Sequence, residues 1–315
     1  MYSGPVKGLF FERDLMVQNV KSPLTYEDQI ERLKDFHKLS IDDDEEALLI
    51  LKKINYYRLS GYGIGLTLPN NKDQYRPGVS LKHLYKLYKF DSKMKNLLSL
   101  VIEQIEIQFR ANISYHLAIN YGALGYLDRT NFADRKDANG KSVLDKILYE
   151  FKTMVERNSR LPFVKHHLKN YNGHFPIWVA VELFTFGNLT SLYSIMQDKD
   201  KKVIAKLYRT TDSYFNSWIR LLQVVRNICA HYGRLYNLTL MITPNLHKDY
   251  DFLKKDSRTK KTKVFYVLIV LKKVLDKKQW DDFYPKLKAL LNEYSQFINL
   301  SFMSFPENWE EILEK

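Results

Sequence analysis

The stretch from Arg220 to Asn237 reads R-L-L-Q-V-V-R-N-I-C-A-H-Y-G-R-L-Y-N, and the rest of the chain is organised around it. It opens as an apolar helix carrying Leu221, Leu222, Val224 and Val225. It then sets Arg226, Asn227 and His231 within six residues and continues into Tyr232, Gly233, Arg234 and Tyr236. An arginine fork matches two phosphate oxygens and stays charged. Histidine can take or give a proton near neutral pH. Together these residue types can hold a phosphate and move protons beside it.

Spacing alone does not select this pair. With about 14 arginines and 8 histidines in 315 residues, roughly one match to R-x4–6-H is expected by chance. The chain holds several: Arg32 with His37, Arg110 with His116, Arg160 with His166 or His167, and Arg226 with His231. On a regular helix Arg226 and His231 lie about 140° apart and roughly 7.5 Å along the axis, so one copy makes no compact site. Two copies facing each other, from two chains or from two halves of one chain, could converge on one phosphate. Equally, Arg226 can form a structural ion pair and His231 can close a helix.

Outward from this stretch the chain reads as helical. Glycine (12) and proline (9) are scarce, and 45% of residues are hydrophobic. Residues 1–22 read as an arm. Thr25 can cap a first helix, with Leu24 as a staple, Glu27 and Asp28 at its positive end, and Ile30, Leu33 and Phe36 as its apolar stripe. The acidic run Asp42 to Glu46 suits the start of a second helix better than a metal site. A long helix is expected from Leu81 to about Asn120, because Leu98, Ile102, Ile105, Phe109 and Ile113 recur at steps of three and four. Further helices are expected over residues 143–157 and 163–170, from Pro176 through Leu183, over 192–197 and 203–207, and over 263–276 and 281–300. No convincing strand appears. The fold class is all-α, a helical bundle with helical N-terminal and C-terminal extensions. The expected organisation is an arm (1–22), an N-terminal helical subdomain (23–80), a helical core (81–245), and a basic connector with a C-terminal helical extension (246–315).

Charge points to a polyanionic partner. Lys and Arg number 49 against 36 Asp and Glu, for a net charge of +13, and nucleic acid is the commonest such partner. The run from Lys254 to Lys263 concentrates Lys254, Lys255, Arg258, Lys260 and Lys261, as a solvated connector or as contacts to RNA. One cysteine, Cys229, excludes an intramolecular disulfide and a cysteine-based zinc site. No secretory segment opens the sequence, and the longest apolar run, Val264 to Leu271, is too short for a bilayer. A cytoplasmic protein is expected, with no membrane partner, no metal and no cofactor.

The twelve residues R-N-I-C-A-H-Y-G-R-L-Y-N resemble the R-N-x-C-A-H-x-x-R-L-x-N signature of the AbiD/AbiF-type abortive infection family, within the HEPN ribonuclease superfamily. The resemblance extends over roughly residues 21–310. K-S-P-L-T-Y-E-D-Q-I-E-R-L is similar to the family's first helix, I-N-Y-Y-R-L-S-G-Y to its second landmark, and L-Y-K-F-D with I-E-Q-I-E-I-Q-F-R to its long central helix. F-P-I-W-V-A-V-E-L-F-T-F-G-N-L-T-S-L-Y and F-P-E-N-W resemble its later landmarks. Phe36-His37 stands where the family often has arginine-glycine, a difference confined to a turn.

The resemblance implies a HEPN-type helical core and antiphage defence through RNA cleavage. Arg226 would hold the scissile phosphate, His231 would act as general acid or base, and Asn227 would orient one of them. Attack by the 2′-OH, without metal, would leave a 2′,3′-cyclic phosphate and a 5′-OH. It also implies association with a small structured noncoding RNA, and the expected assembly is a homodimer with the site across its dyad. Arg110, Asn112 and His116 repeat the same residue types on the central helix. They read as a second motif or, with Tyr232 and Arg234, as RNA-binding residues flanking the main site. The competing function is a non-catalytic RNA-binding protein that sequesters, or is regulated by, a small noncoding RNA.

Overall fold

A computed structural model describes residues 22–254 and 259–314. Among the described residues every regular element is helical, and pairing of extended backbone is limited to isolated bridges. The chain divides after Lys82 into two compact units.

The first unit carries α1 (Tyr26–Asp35), α2 (Asp44–Lys53) and the short α3 (Tyr56–Ser60). Thr25 and Asp28 close a reciprocal capping box on α1, which satisfies two orphan N–H groups at its start. The acidic run caps α2 as its charge suggests: one oxygen of Asp43 accepts from the amides of Glu45 and Glu46. Ile30 and Leu33 are buried, but Phe36 is not. It lies just past α1, as the C-cap, where the helical stripe has ended, and the Arg32 guanidinium covers its ring. Gly63 admits the Tyr75 ring against its backbone, because a Cβ there would stand 2.4 Å from that ring.

The second unit is built on α4 (Leu81–Tyr121), whose 41 residues make a rod about 60 Å long. Leu84, Leu87, Met94, Leu98, Ile102, Ile105, Phe109 and Ile113 form one buried stripe at steps of three, four and seven. Around it follow α5 (Val143–Arg157), α6 (Pro162–Asn170), α7 (Ile177–Ala180), α8 (Phe186–Ile195), α9 (Asp198–Leu207) and α10 (Asp212–Ala230). The expected helix from Pro176 to Leu183 is broken: Pro176 precedes a single α turn, and Val181–Leu183 tightens into a 3-10 turn. Thr185 and Asn188 then form a fresh capping box that starts α8. After α10 come α11 (Val264–Val274), α12 (Lys277–Glu293) and α13 (Trp309–Glu314). Residues Val264 to Leu271 of α11 are all buried, which is why this helix lacks a polar face.

Helix α10 packs against α8, α9 and α11. Its buried face, with Phe215, Trp218, Ile219, Leu222 and Val225, sets the height at which its last turn emerges. Phe109 of α4, Tyr193 of α8 and Phe215 of α10 meet edge to face, and Tyr208 stacks on Phe215 at 4.3 Å. Leu221 and Val225 are buried and Val224 is half-buried. Among the described residues no helix is long and apolar enough to cross a membrane.

Candidate functional site

Arg226 and Asn227 occupy the last turn of α10, and His231 is its C-cap. The helix ends in a Schellman motif: the Gly233 amide donates to the Ile228 carbonyl at 2.8 Å, and the Tyr232 amide to that of Cys229 at 3.2 Å. The left-handed position of this motif is commonly glycine, yet here it is Tyr232, at φ 56°. Glycine follows one position later for a different reason. A Cβ on Gly233 would meet Ile228 Cγ2 at 2.9 Å and the Ile228 carbonyl oxygen at 3.2 Å. This cap leaves His231 and Tyr232 exposed. Among the described residues the His231 ring makes no hydrogen bond or ion pair.

Glu106 of α4 links the two arginines of the site. Its Oε1 accepts from Arg110 Nη2 at 3.1 Å, and its Oε2 forms an ion pair with Arg226, 3.2 Å from Nε. Arg110 is also committed through Nη1 to the Phe184 carbonyl at 3.0 Å. Arg226 is less enclosed, with 40% of its side chain exposed, and Nη1 makes one long bond of 3.5 Å to Asn227 Oδ1. The carboxylate thus fixes the inner edge of the Arg226 guanidinium and leaves the Nη edge for an oxyanion.

A second carboxylate fixes the chain after His231. Asp91 of α4 is fully buried, and its Oδ1 accepts from the amides of Leu235 (3.0 Å) and Tyr236 (2.7 Å). Its Oδ2 pairs with Lys95 Nζ at 3.3 Å, and Lys95 donates to the Gly233 carbonyl at 2.9 Å. One ion pair therefore grips Gly233, Leu235 and Tyr236 by their backbones. The Tyr236 ring packs beneath, on Phe90, and its hydroxyl accepts from the Asn299 amide at 2.9 Å.

Basic side chains gather on the far side of this loop. Arg234 donates to the Tyr236 carbonyl at 2.9 Å, and Lys263 donates to both oxygens of Asn237 at 3.2 Å. Burial holds the Lys263 amine below its ordinary pKa, and the nearby charges of Lys260 and Arg234 add to this. Lys260 is exposed and Lys261 partly so. Lys255, Arg258 and the side chain of Lys254 lie outside the described residues.

Arg110, Asn112 and His116 go to three different partners. Arg110 joins Arg226 on Glu106. Asn112 donates to the Tyr208 hydroxyl at 3.0 Å. His116 Nε2 meets Asp200 Oδ1 at 2.8 Å, while Tyr121 donates to the other Asp200 oxygen at 2.6 Å. Burial and that carboxylate push the Tyr121 phenol up to about 12. Helical geometry explains the divergence, since residues two and six apart point about 160° and 120° away from each other. His167 Nδ1 donates to the Phe163 carbonyl and its ring stacks on Phe175 at 5.1 Å, while His166 pairs with Asn170. Cys229 is buried, which pushes its thiol up to about 11 and leaves it protonated at neutral pH.

Glu106, Asp91 and Lys95 were not among the expected site residues. A signal for Asp91 existed: the stripe Leu84, Leu87, Met94, Leu98 has a gap that only position 91 fills, and a carboxylate there must be buried. Glu106 stands four residues before Arg110, the spacing of a helical ion pair.

One further apolar face is exposed among the described residues. Leu100, Ile107, Tyr115 and Ile119 of α4 are exposed at steps of seven, eight and four, and form an apolar line along the helix that carries Glu106.

A family model described as Abi-like protein matches residues 49–237, more than half of the chain, and ends at the last residue of the opening stretch. No curated protein and no solved structure matches the chain.

Proposed function

The chain belongs to the Abi-like protein family, which points to abortive infection defence, and from that premise we propose that it is an antiphage endoribonuclease of the HEPN type. The observation that carries this reading is the pairing of a tethered, half-exposed Arg226 with an exposed His231 at the end of the same helix. Glu106 orients the guanidinium. Its outer edge binds the scissile phosphate and stabilises the charge that develops on it. His231 moves the proton of the 2′-OH or of the 5′-leaving oxygen, and Asn227 steadies Arg226. The products are a 2′,3′-cyclic phosphate and a 5′-OH, with RNA supplying its own nucleophile and no metal or cofactor required.

Arg226 and His231 diverge on their helix, so the site is completed by a second copy of the chain. The apolar line Leu100–Ile107–Tyr115–Ile119 on α4 supports a homodimer, since water contact with these side chains is unfavourable and a two-fold partner offers the same line in return. The net charge of +13 and the basic group around Arg234, Lys260 and Lys263 support RNA as the polyanion held, including a structured noncoding RNA.

The test is incubation of wild type and His231→Ala with total RNA in EDTA. Cleavage by wild type alone is expected. Equal cleavage by both proteins sinks the assignment to His231. Binding by both without cleavage would instead establish a protein that sequesters RNA.

A further inference from the structure

The first unit holds a cleft of about 1040 Å³ that the proposed chemistry does not use. Tyr56 and Tyr57, from the landmark I-N-Y-Y-R-L-S-G-Y, contribute to its wall, with Tyr75, His37, Arg32 and Lys72. Its construction is specific. Gly63 lets the edge and hydroxyl of Tyr75 come close against the backbone, and the Tyr56 and Tyr75 side chains are hydrogen-bonded to each other. The Tyr75 amide donates to the His37 carbonyl at 2.9 Å, which ties the aromatic wall to the end of α1.

The polar groups are equally fixed. His37 Nδ1 lies 2.6 Å from the Asp73 carbonyl oxygen. A carbonyl only accepts, so Nδ1 carries the proton, and the neutral ring has Nε2 left as an acceptor for an outside N–H. Tyr57 is 86% exposed, which leaves its ring face open at the mouth of the cleft. Arg32 and Lys72 are exposed cations, and Asp73 is the carboxylate nearby.

We infer that this cleft is a nucleotide-binding site, taking one base against Tyr56 and Tyr57, which the buried Tyr75 backs, and its phosphate on Arg32 and Lys72. Aromatic faces beside cations are what unpaired bases use: the face accepts any base, and the cation follows the backbone. The ring acceptor of His37 suits the amino or imino edge of a base. A purely aliphatic ligand would leave both cations and the histidine unused. The shared chemistry is a nucleoside phosphate, from single-stranded RNA or from a free nucleotide. The cleft shares no residue with the Arg226–His231 centre and stands whether or not the chain cuts RNA.

The test uses the full chain carrying His231→Ala, in EDTA, so that no probe is consumed. Two probes report stacking by fluorescence quenching: 2-aminopurine riboside monophosphate, and a short single-stranded RNA with 2-aminopurine at one internal position. Saturable quenching of at least one probe is expected, and which one responds identifies the source of the nucleotide. Tyr57→Ala should weaken binding at least about fivefold, since a base on an aromatic face is worth roughly 1–3 kcal/mol. Arg32→Ala should weaken it and flatten its dependence on salt, by about 0.7 in the logarithmic slope for each phosphate no longer held. Both side chains are exposed, so the fold should survive each change, with Arg32→Ala losing only the cover it gives the exposed Phe36 ring. No saturable quenching of either probe, or affinities equal to the parent in both variants, would overturn the inference.

Discussion

The Asp91–Lys95 pair makes the sharpest demand on the structure. Lys95→Met removes the ammonium and the bond to the Gly233 carbonyl but keeps the aliphatic stem. Asp91 then keeps the amides of Leu235 and Tyr236 on one of its oxygens but loses its ammonium partner while fully buried. Breaking a buried ion pair on one side typically costs about 3–5 kcal/mol, because the remaining charge is uncompensated. In a folded unit of this size each kcal/mol moves the thermal midpoint by about 2–4 °C, so Lys95→Met should melt roughly 6–20 °C early. The diagnostic comparison is Asp91→Ala with Lys95→Met. That double variant carries no buried charge and leaves only orphan backbone groups, each worth about 1–3 kcal/mol. It should therefore be no less stable than Asp91→Ala alone, a strongly non-additive result. Thermal or urea unfolding of the four proteins gives the cycle. Additivity within about 0.5 kcal/mol would mean that the two side chains do not act as one clamp on the loop after His231, and the reasoning would be refuted.

Other consequences are testable with single substitutions. Glu106→Gln removes the charge that tethers Arg226 while keeping its shape. RNA cleavage should fall by up to about 100-fold with RNA binding retained, since small misplacements cost that much, and an unchanged rate would remove Glu106 from the site. Gly233→Ala should destabilise by about 1–3 kcal/mol because the added Cβ meets the Ile228 carbonyl, which cannot step aside; a neutral effect in urea unfolding would contradict the close approach. The Cys229 thiol should resist alkylation at pH 8 until the chain unfolds. Its folded pKa, about 11, lies above its ordinary value of 9.0, so its contribution to stability is complete below about pH 9 and is lost as pH rises toward 11. Rapid labelling of the folded protein at pH 8 would show the burial to be wrong. Ile107→Glu should convert a dimer to a monomer in light scattering and abolish cleavage, whereas a monomeric wild type with full activity would exclude a site shared between copies.

Much of the fold was legible because local chemistry and tertiary packing agree. Thr25, Asp43 and Ser142 each precede a helix and each accepts from its first amides, and the α4 stripe has the period of a buried helical face. Phe36 misled because it continues the spacing of the stripe to the first residue past the end of the helix. The stretch from Pro176 to Leu183 misled because apolar composition cannot distinguish an α turn followed by a 3-10 turn from one helix. The site was legible only in part. Arg226 and His231 stand out in their twelve-residue context, but the groups that hold them come from a helix more than a hundred residues earlier. Glu106 and Asp91 read as ordinary carboxylates until α4 and the end of α10 are brought together. Arg110, Asn112 and His116 look like a set in one dimension and separate in three.

The most direct test of the central claim compares an RNA with its 2′-O-methyl counterpart, in EDTA, under wild type and His231→Ala. If RNA supplies the nucleophile and the Arg226–His231 centre supplies the catalysis, wild type cuts only the unmodified strand, leaving 2′,3′-cyclic phosphate and 5′-OH ends, and His231→Ala cuts neither. Cleavage of the 2′-O-methyl strand, or ends bearing a 5′-phosphate, would contradict it.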